Sequence, residues 1–240
     1  MRTIVSPCGT SLLTNLATGD GLIIGGESWT PEAIRRVVTR EANADRPAAE
    51  VADLLDGLLQ EAAARLASLP WGPSPAASRM SAEIHAWTKF GGQVGDTHWI
   101  VHSDTWLGER IAALLAAWLQ HRGFIAQAVR IPFLRTDDPD LFRLAMGELA
   151  VWLDETIRPL RSAGEVIFQL SGGFKALHGV LQSLAPFYAD RVVYLFESSP
   201  VLLELPRLPI TWQVEPSFRD ALTPLRRLAL GLSVDPGDLD

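Results

Sequence analysis

A loop of serine, two glycines and a lysine carries the clearest chemical pattern in this sequence. It follows an apolar run at residues 166–170 and contains Ser171, Gly172, Gly173 and, just inside the next predicted helix, Lys175. Such a turn aims backbone N–H groups and the positive end of a helix at one point. Glycine lets the backbone approach a ligand closely, and lysine adds a full charge. The pattern favours an anion, most often a phosphate; a tight turn with a solvated lysine is the alternative.

A second loop of the same kind follows the first predicted strand. Residues 3–5 form that strand, and Gly9, Thr10 and Ser11 lead from it into a helix-prone segment. In doubly wound sheets, ligands bind beyond the carboxyl ends of the strands where the strand order reverses. We expect the two strands at that point to be residues 3–5 and 166–170. The two loops should therefore meet, and as a pair they are more specific than either loop alone.

Other classes of site lack their signatures in this sequence. The G-x-G-x-x-G fingerprint of dinucleotide cofactors is absent after the first strand, and so is the P-loop pattern. Cys8 is the only cysteine, and the five histidines show no metal-ligand spacing. We therefore predict a phosphate-bearing ligand without a resident cofactor or metal.

Charge and hydropathy limit the possible partners. The formal net charge is -7, which argues against sequence-independent DNA or RNA binding because that requires a basic face. No apolar run approaches the roughly 20 residues of a transmembrane helix, and no signal peptide opens the chain. The sequence predicts a cytoplasmic protein that binds neither DNA nor membranes.

Strand-like and helix-like segments alternate along most of the chain. Beyond the two strands already named, strands are predicted at residues 99–102, 125–131 and 192–196, and helices at 105–120, 139–162 and 174–188. Alternation of this kind predicts an α/β fold with a mostly parallel sheet and helices on both faces. Residues 202–205 fit an added antiparallel edge strand.

The alternation is interrupted between residues 30 and 92. This part contains an alanine-rich pair of predicted helices at 31–41 and 48–69, and we interpret it as a helical insertion in one domain. The predicted domain spans residues 1–210. The remaining tail, 211–240, is too short for a core of its own.

Four short patches follow one another in an order found in a known family. They are residues 9–15 (GTSLLTN), 81–84 (SAEI), 102–105 (HSDT) followed by Gly108, and 171–176 (SGGFKA), with Glu197 and residues 205–210 closing the domain. Together they resemble the CRISPR-associated Rossmann fold (CARF) family, whose members sense cyclic oligoadenylates made during type III CRISPR interference. The sequence departs from the family pattern at Ser171, where threonine is usual, and at Gln169, where asparagine is common.

The resemblance implies a Rossmann-like homodimer that binds the cyclic nucleotide across its two-fold axis, tetra-adenylate before hexa-adenylate. Most relatives carry a fused effector, and no effector motif is found in this sequence, so a separate effector protein is a possible partner. One branch of the family resembles ring nucleases. These cut the ring without a metal, through attack of a 2′-OH on the neighbouring phosphodiester, and leave a 2′,3′-cyclic phosphate.

The same resemblance implies roles for individual residues. Lys175 would neutralise charge on the phosphoryl oxygens, and Ser11 would orient the 2′-OH or a phosphate oxygen. Ser171 and the N–H groups of Gly172 and Gly173 would cradle that phosphate, while no residue stands out as the general base. The other predicted ligand-binding residues are Gly9, Thr10, Asn15, Glu83, Ser103, Asp104, Thr105 and Phe174.

Plainer interpretations stay open for these residues and for the protein. Ser11, Asp104 and Thr105 suit helix caps. Lys175 can bind phosphate without assisting cleavage, and Glu83 suits a solvated helix face. One alternative function is a sensor without catalytic activity, either a subunit that binds the ring and regulates a separate effector or the sensor part of a longer effector. Another is a metabolic enzyme that binds an ordinary nucleotide.

Overall fold

A six-stranded sheet forms the centre of the fold, and a two-stranded ribbon lies apart from it. The structure, a computed structural model, describes residues 1–16, 21–196, 201–207 and 227. In chain order the strands are β1 (Arg2–Pro7), β2 (Leu22–Ile24), β3 (Glu27–Trp29), β4 (Thr97–His102), β5 (Ile125–Arg130), β6 (Glu165–Gln169), β7 (Arg191–Leu195) and β8 (Leu202–Leu205). The ribbon pairs β2 with β3, and the other six strands make the sheet.

The order of the large sheet is β5-β4-β1-β6-β7-β8. Neighbours from β5 to β7 run parallel, and β8 pairs antiparallel with β7 at the edge. The predictions of a mostly parallel sheet and of an antiparallel edge strand are confirmed. Because the chain adds β4 and β5 on one side of β1 and then returns to place β6 on the other, the strand order reverses between β1 and β6, as predicted.

Eight α-helices connect these strands within the described ranges. They are α1 (Ser11–Thr14), α2 (Pro31–Arg40), α3 (Ala49–Ser68), α4 (Pro75–Met80), α5 (Ala82–Phe90), α6 (Trp106–His121), α7 (Pro139–Trp152) and α8 (Lys175–Tyr188). Side-chain caps fix several starts: the hydroxyl of Ser81 accepts from Ile84 N–H at 3.1 Å, and that of Thr105 accepts from Gly108 N–H at 3.1 Å. Each cap satisfies one of the N–H groups that the first helical turn leaves without a partner.

Only the first part of the predicted helix at residues 139–162 is a regular α-helix. Regular α-helix ends at Trp152, one π turn spans Leu153–Ile157, and a 3₁₀ turn spans Arg158–Ser162. Pro159 explains the change, because proline has no N–H to donate and its ring crowds the carbonyl four residues earlier. The backbone therefore leaves α geometry before the proline.

The β2–β3 ribbon was not predicted, although the sequence contains a signal for it. Gly25 and Gly26 connect the two strands with φ angles of 61° and 85°. Two positive φ angles in a two-residue connection are what a tight hairpin requires, and glycine adopts them without strain. The Gly25-Gly26 pair that follows the apolar residues 22–24 is therefore evidence for a hairpin.

Two apolar cores lie on opposite faces of the sheet, so helices on both faces are confirmed. One core joins α1 to α6, with residues such as Leu12, Leu58 and Trp87 fully or almost fully buried. The other packs α7 and α8 against the opposite face, around Phe168 and Leu181. The predicted insertion corresponds to α2 to α5 and shares the first core.

The chain divides into two units, Met1–Leu208 and Pro209–Asp240. The predicted boundary after residue 210 stays a prediction, and Glu197, residues 208–210 and all of the tail except Arg227 lie outside the described residues. Among those that are described, no helix is long and apolar enough to cross a membrane.

Candidate functional site

The loops after β1 and β6 touch each other through their glycines. A Cβ atom added to Gly9 would lie 3.1 Å from both the Cα and the N of Gly173. One added to Gly173 would lie 2.8 Å from the Cβ of Pro7, and Gly173 also has a φ of 82°. Only glycine fits both positions without moving the backbone. The two loops are therefore in contact, as predicted.

Strand pairing brings the loops together. Val5 of β1 lies opposite Phe168 of β6 in a parallel register. Since parallel neighbours end at the same edge of a sheet, the chain leaves both strands on the same side and turns over the carboxyl edge there. The loops then open α1 and α8.

A buried carboxylate fills the space between these loops. Glu83, in the first turn of α5, is fully buried. Its Oε1 accepts the N–H of Gly9 at 2.9 Å, and its Oε2 accepts the hydroxyl of Ser11 at 2.8 Å. A Cβ on Gly172 would overlap Oε1 and Cγ of the same glutamate. Glu83 therefore contacts both loops. The alternative that its carboxylate lies on a solvated helix face is wrong, because the residue is fully buried.

The start of α5 holds this carboxylate in place. Ser81 caps the helix, and the N–H of Ala82 donates to the hydroxyl oxygen of Ser11 at 3.1 Å. Burial raises the pKa of the neighbouring Cys8 thiol well above its usual value, and the charge of Glu83 raises it further. A thiol held protonated in this way is a poor nucleophile.

Lys175 lies at the edge of this junction as the first residue of α8, and its side chain is exposed. The residue before it, Phe174, provides no side-chain cap for the helix. Its ring instead packs edge-on against Phe142, with ring centroids 6.1 Å apart. This end of α8 therefore combines the positive end of the helix dipole with a lysine charge.

The glycine loop after β6 is held from two sides. The hydroxyl of Ser171 accepts the N–H of Leu195 at 2.7 Å, which ties the loop to the end of β7. A ring nitrogen of His178 on α8 bonds to the carbonyl oxygen of Gly172. His178 was missed in the sequence, although its place three residues after Lys175 puts both on one helix face.

The polar side chains of the third predicted patch, at residues 102–105 after β4, form hydrogen bonds within the protein. Thr105 caps α6, and its hydroxyl lies 2.8 Å from that of Ser103. Asp104 accepts from Arg130 at 2.6 Å and from the N–H of Phe133 at 2.9 Å. Burial opposes ionisation of Asp104, yet the hydrogen bonds from Arg130 and Phe133 lower its pKa overall. Phe133, with a φ of 64°, is held in a left-handed conformation beside this carboxylate.

The two remaining predicted residues lie at the ends of α1. Thr10 precedes the helix without a side-chain cap, and Asn15 follows it. Asn15 lines a pocket of about 300 Å³ that also contains Arg65 and Arg79. The structure thus gathers Gly9, Ser11, Glu83, Gly172 and Gly173 into direct contact and places Asn15 in a separate pocket.

Gln169 is a further residue of interest at the same sheet edge. It ends β6, its side chain is fully buried, and neither amide atom has a hydrogen-bond partner within the described ranges. Over the same ranges, no group of three or more His, Cys, Asp or Glu residues could hold a metal ion.

Comparison with known proteins identifies the class of this molecule. Residues 78–208, more than half of the 240-residue chain, match the model of the CRISPR-associated protein family Cas_APE2256. The chain therefore belongs to this CRISPR-associated family. The matched part contains Glu83 and the glycine loop with Lys175, whereas Gly9 and Ser11 precede it. No curated protein matches the chain.

Proposed function

We propose that this CRISPR-associated protein binds a cyclic oligoadenylate, tetra-adenylate before hexa-adenylate, and cleaves it. The supporting observation is the junction of the β1 and β6 loops. It combines close-packed glycine backbone, two serine hydroxyls and the exposed Lys175 at the uncapped start of α8. Backbone N–H groups, a helix start and a lysine are the usual means of holding phosphate. The resemblance to CARF domains narrows the phosphate ligand to a cyclic oligoadenylate.

To cleave such a ring, the protein mainly has to position the reacting atoms, because the ring carries its own nucleophile. The 2′-OH beside each phosphodiester is the nucleophile, and in-line attack yields a 2′,3′-cyclic phosphate. The protein must hold the 2′-oxygen, phosphorus and leaving 5′-oxygen in line. Lys175 supplies the charge that stabilises the phosphoryl oxygens in the transition state. A homodimer would present two such junctions to one symmetric ring.

A sensor subunit without catalytic activity is the second candidate. An exposed apolar strip on α7 favours it, since Leu144 and Val151 are 57% and 53% exposed one above the other on the helix. Between them, a Cβ added to Gly147 would meet nothing within 4 Å. Such a strip suits contact with another protein, and a separate effector is the partner that this candidate requires.

One incubation distinguishes the candidates. Purified protein is mixed with labelled cyclic tetra- and hexa-adenylate in EDTA, and the products are separated by chromatography. Linear products ending in cyclic phosphate, lost in Lys175→Ala, support the ring nuclease. An intact ring recovered from a tight complex supports the sensor. Binding of ordinary adenosine nucleotides with no preference for rings would contradict both and favour a metabolic enzyme.

A further inference from the structure

The hydroxyl of Ser11 has only one hydrogen-bonding position left for a ligand. A serine hydroxyl offers one proton and two lone pairs. One lone pair accepts the N–H of Ala82 at 3.1 Å, and the proton goes to Oε2 of Glu83 at 2.8 Å. The remaining group is a lone pair, which can accept a hydrogen bond but cannot donate one.

The direction of this bond follows from the carboxylate of Glu83, which accepts a hydrogen bond at each of its two oxygens. Oε1 receives the N–H of Gly9 at 2.9 Å, and a backbone N–H can only donate. The glutamate is fully buried, and no ion pair involving it occurs among the described residues. Oε2 therefore attracts the Ser11 proton in a water-poor environment, where such a hydrogen bond is strong.

We propose that Glu83 is the general base of the reaction and acts through Ser11, which accepts a hydrogen bond from a ribose 2′-OH. This inference rests on the proposed function. A phosphate oxygen of the ring carries no proton, so it cannot be the partner of a serine lone pair. Of the two expected roles of Ser11, the structure favours contact with the 2′-OH. Glu83 is then a positioning and proton-accepting residue that need not touch the ring.

The step balances without a co-reactant other than solvent. The 2′-OH proton moves to Oγ of Ser11 while the Ser11 proton moves to Oε2 of Glu83. The freed electron pair of the 2′-oxygen forms the bond to phosphorus, and the bond from phosphorus to the 5′-oxygen breaks. The 5′-oxygen keeps that electron pair and takes a proton from water, and Glu83 returns its proton to the hydroxide that results. The linear product is an isomer of the ring.

The first test uses ligand chemistry on wild-type protein and Ser11→Ala. The probes are cyclic tetra-adenylate and its all-2′-deoxy analogue, and the measurement is the Kd of each by calorimetry. Wild type should prefer the ribose ring by about tenfold or more, the value of one or two well-placed hydrogen bonds. Ser11→Ala should lose that preference. An unchanged preference in Ser11→Ala would overturn the assignment of Ser11 as acceptor.

The second test uses Glu83→Gln, whose amide NH₂ would donate to Ser11 and turn the serine proton towards the ligand. Cleavage of the ribose ring should fall about 100-fold or more, the usual contribution of a general base, while its Kd changes far less. The double variant with Ser11→Ala should be no slower than Ser11→Ala alone, since Glu83 acts through that serine. Independent, multiplying losses would contradict the relay.

Glu50→Gln is the matched control, because Glu50 also lies in the first helical turn, of α3, but on an exposed position. It should leave Kd and rate unchanged.

Thermal unfolding checks each variant; if Glu83→Gln does not fold, the Ser11 comparison with the deoxy ring still decides. Failure of wild type to bind any ring overturns the proposed function and this inference together. Ring binding with no dependence of the ribose preference on Ser11 overturns this inference only, and binding without cleavage overturns its proton-transfer step.

Discussion

His178 donates a hydrogen bond from its ring to the carbonyl oxygen of Gly172, so the helix that follows the glycine loop also fixes the loop's conformation. A carbonyl oxygen only accepts, which places the proton on the ring nitrogen. The C=O and N–H of a peptide unit point in opposite directions. Holding the carbonyl of Gly172 towards α8 therefore turns the N–H of Gly173 away from it. The ring of His178 also lies edge-on to Tyr194, with centroids 6.5 Å apart.

Removal of this contact should weaken ligand binding more than it weakens the fold. We expect His178→Ala to raise the Kd for cyclic tetra-adenylate about fivefold, because the loop loses one hydrogen bond of roughly 1 kcal/mol that orders it. His178→Gln keeps an N–H donor and should recover part of the affinity. Calorimetry on the three proteins measures this. Equal affinities in all three would show that the loop keeps its conformation without the histidine.

Substitution of Gly172 should disturb the junction directly. The Cβ of Gly172→Ala would overlap the buried carboxylate of Glu83, which cannot move without breaking its bonds to Gly9 and Ser11. We expect a loss of about 1–3 kcal/mol in the free energy of unfolding, as for other overpacked interiors, together with loss of ring binding. Urea unfolding and calorimetry measure the two effects.

Gly179→Ala is the control for that substitution. Gly179 lies within α8, and a Cβ there would meet nothing within 4 Å. Alanine is a better helix former than glycine, so this variant should gain about 0.5–1 kcal/mol of stability and bind the ring as wild type does. A similar loss in both variants would point to α8 as a whole rather than to the contact with Glu83.

Lys175 can be followed chemically, because the chain has only two lysines, Lys175 and Lys89. Both side chains are exposed. We expect saturating cyclic tetra-adenylate to slow acetylation of Lys175 several-fold, since a phosphate contact removes the free amine, and to leave Lys89 unchanged. Mass spectrometry after limited acetylation measures both sites in one sample. Equal protection, or none, would contradict a phosphate contact at Lys175.

Lys175 and Lys89 are also a matched pair for measurements of the cleavage rate. Lys175→Ala should slow cleavage by about 100-fold or more, as when one preorganised electrostatic group is removed from an active site. Lys89→Ala should leave the rate unchanged. Losses in Kd and in rate of the same size for Lys175→Ala would make the lysine a binding residue rather than a catalytic one.

His98 should make the fold sensitive to mild acid. Burial lowers the pKa of His98 from 6.5 to about 4, and its ring lies edge-on to Trp87 and Phe124. Because the pKa is lower in the folded state, the unfolded chain binds the proton more readily. The stability contributed by the neutral ring is therefore complete above pH 6.5 and is lost as the pH falls towards 4.

Between pH 7.5 and pH 5 this histidine alone should reduce the free energy of unfolding by about 2 kcal/mol. In His98→Phe that part of the loss should disappear, while the acid sensitivity due to other groups remains. Neither ring nitrogen of His98 has a partner among the described residues, so an apolar ring need not destabilise the protein at pH 7.5. Urea unfolding at both pH values tests this. Parallel pH dependence in the two proteins would contradict it.

The topology and the junction of loops could be predicted from the sequence, because alternating strands and helices restrict a chain to few arrangements. The role of Glu83 could not. Its contacts with Gly9 and Ser11 join segments more than 70 residues apart, and no local pattern reports whether a carboxylate in a first helical turn faces solvent or another loop. His178 and the β2–β3 hairpin were also missed, but each has a signal in the sequence. For His178 the signal is its helical spacing from Lys175, and for the hairpin it is the Gly-Gly pair.

The central place of β1 also determines when this molecule can become functional during its synthesis. Thr3 pairs with Thr97 on one side and with Val166 on the other. This strand leaves the ribosome before both of its partners, and β6 follows roughly ten seconds or more later at usual elongation rates. A nascent chain that stops before β6 has an open edge on β1 and only one of the two loops. Ligand binding should consequently emerge in one late step, when the glycines of the second loop close against Gly9.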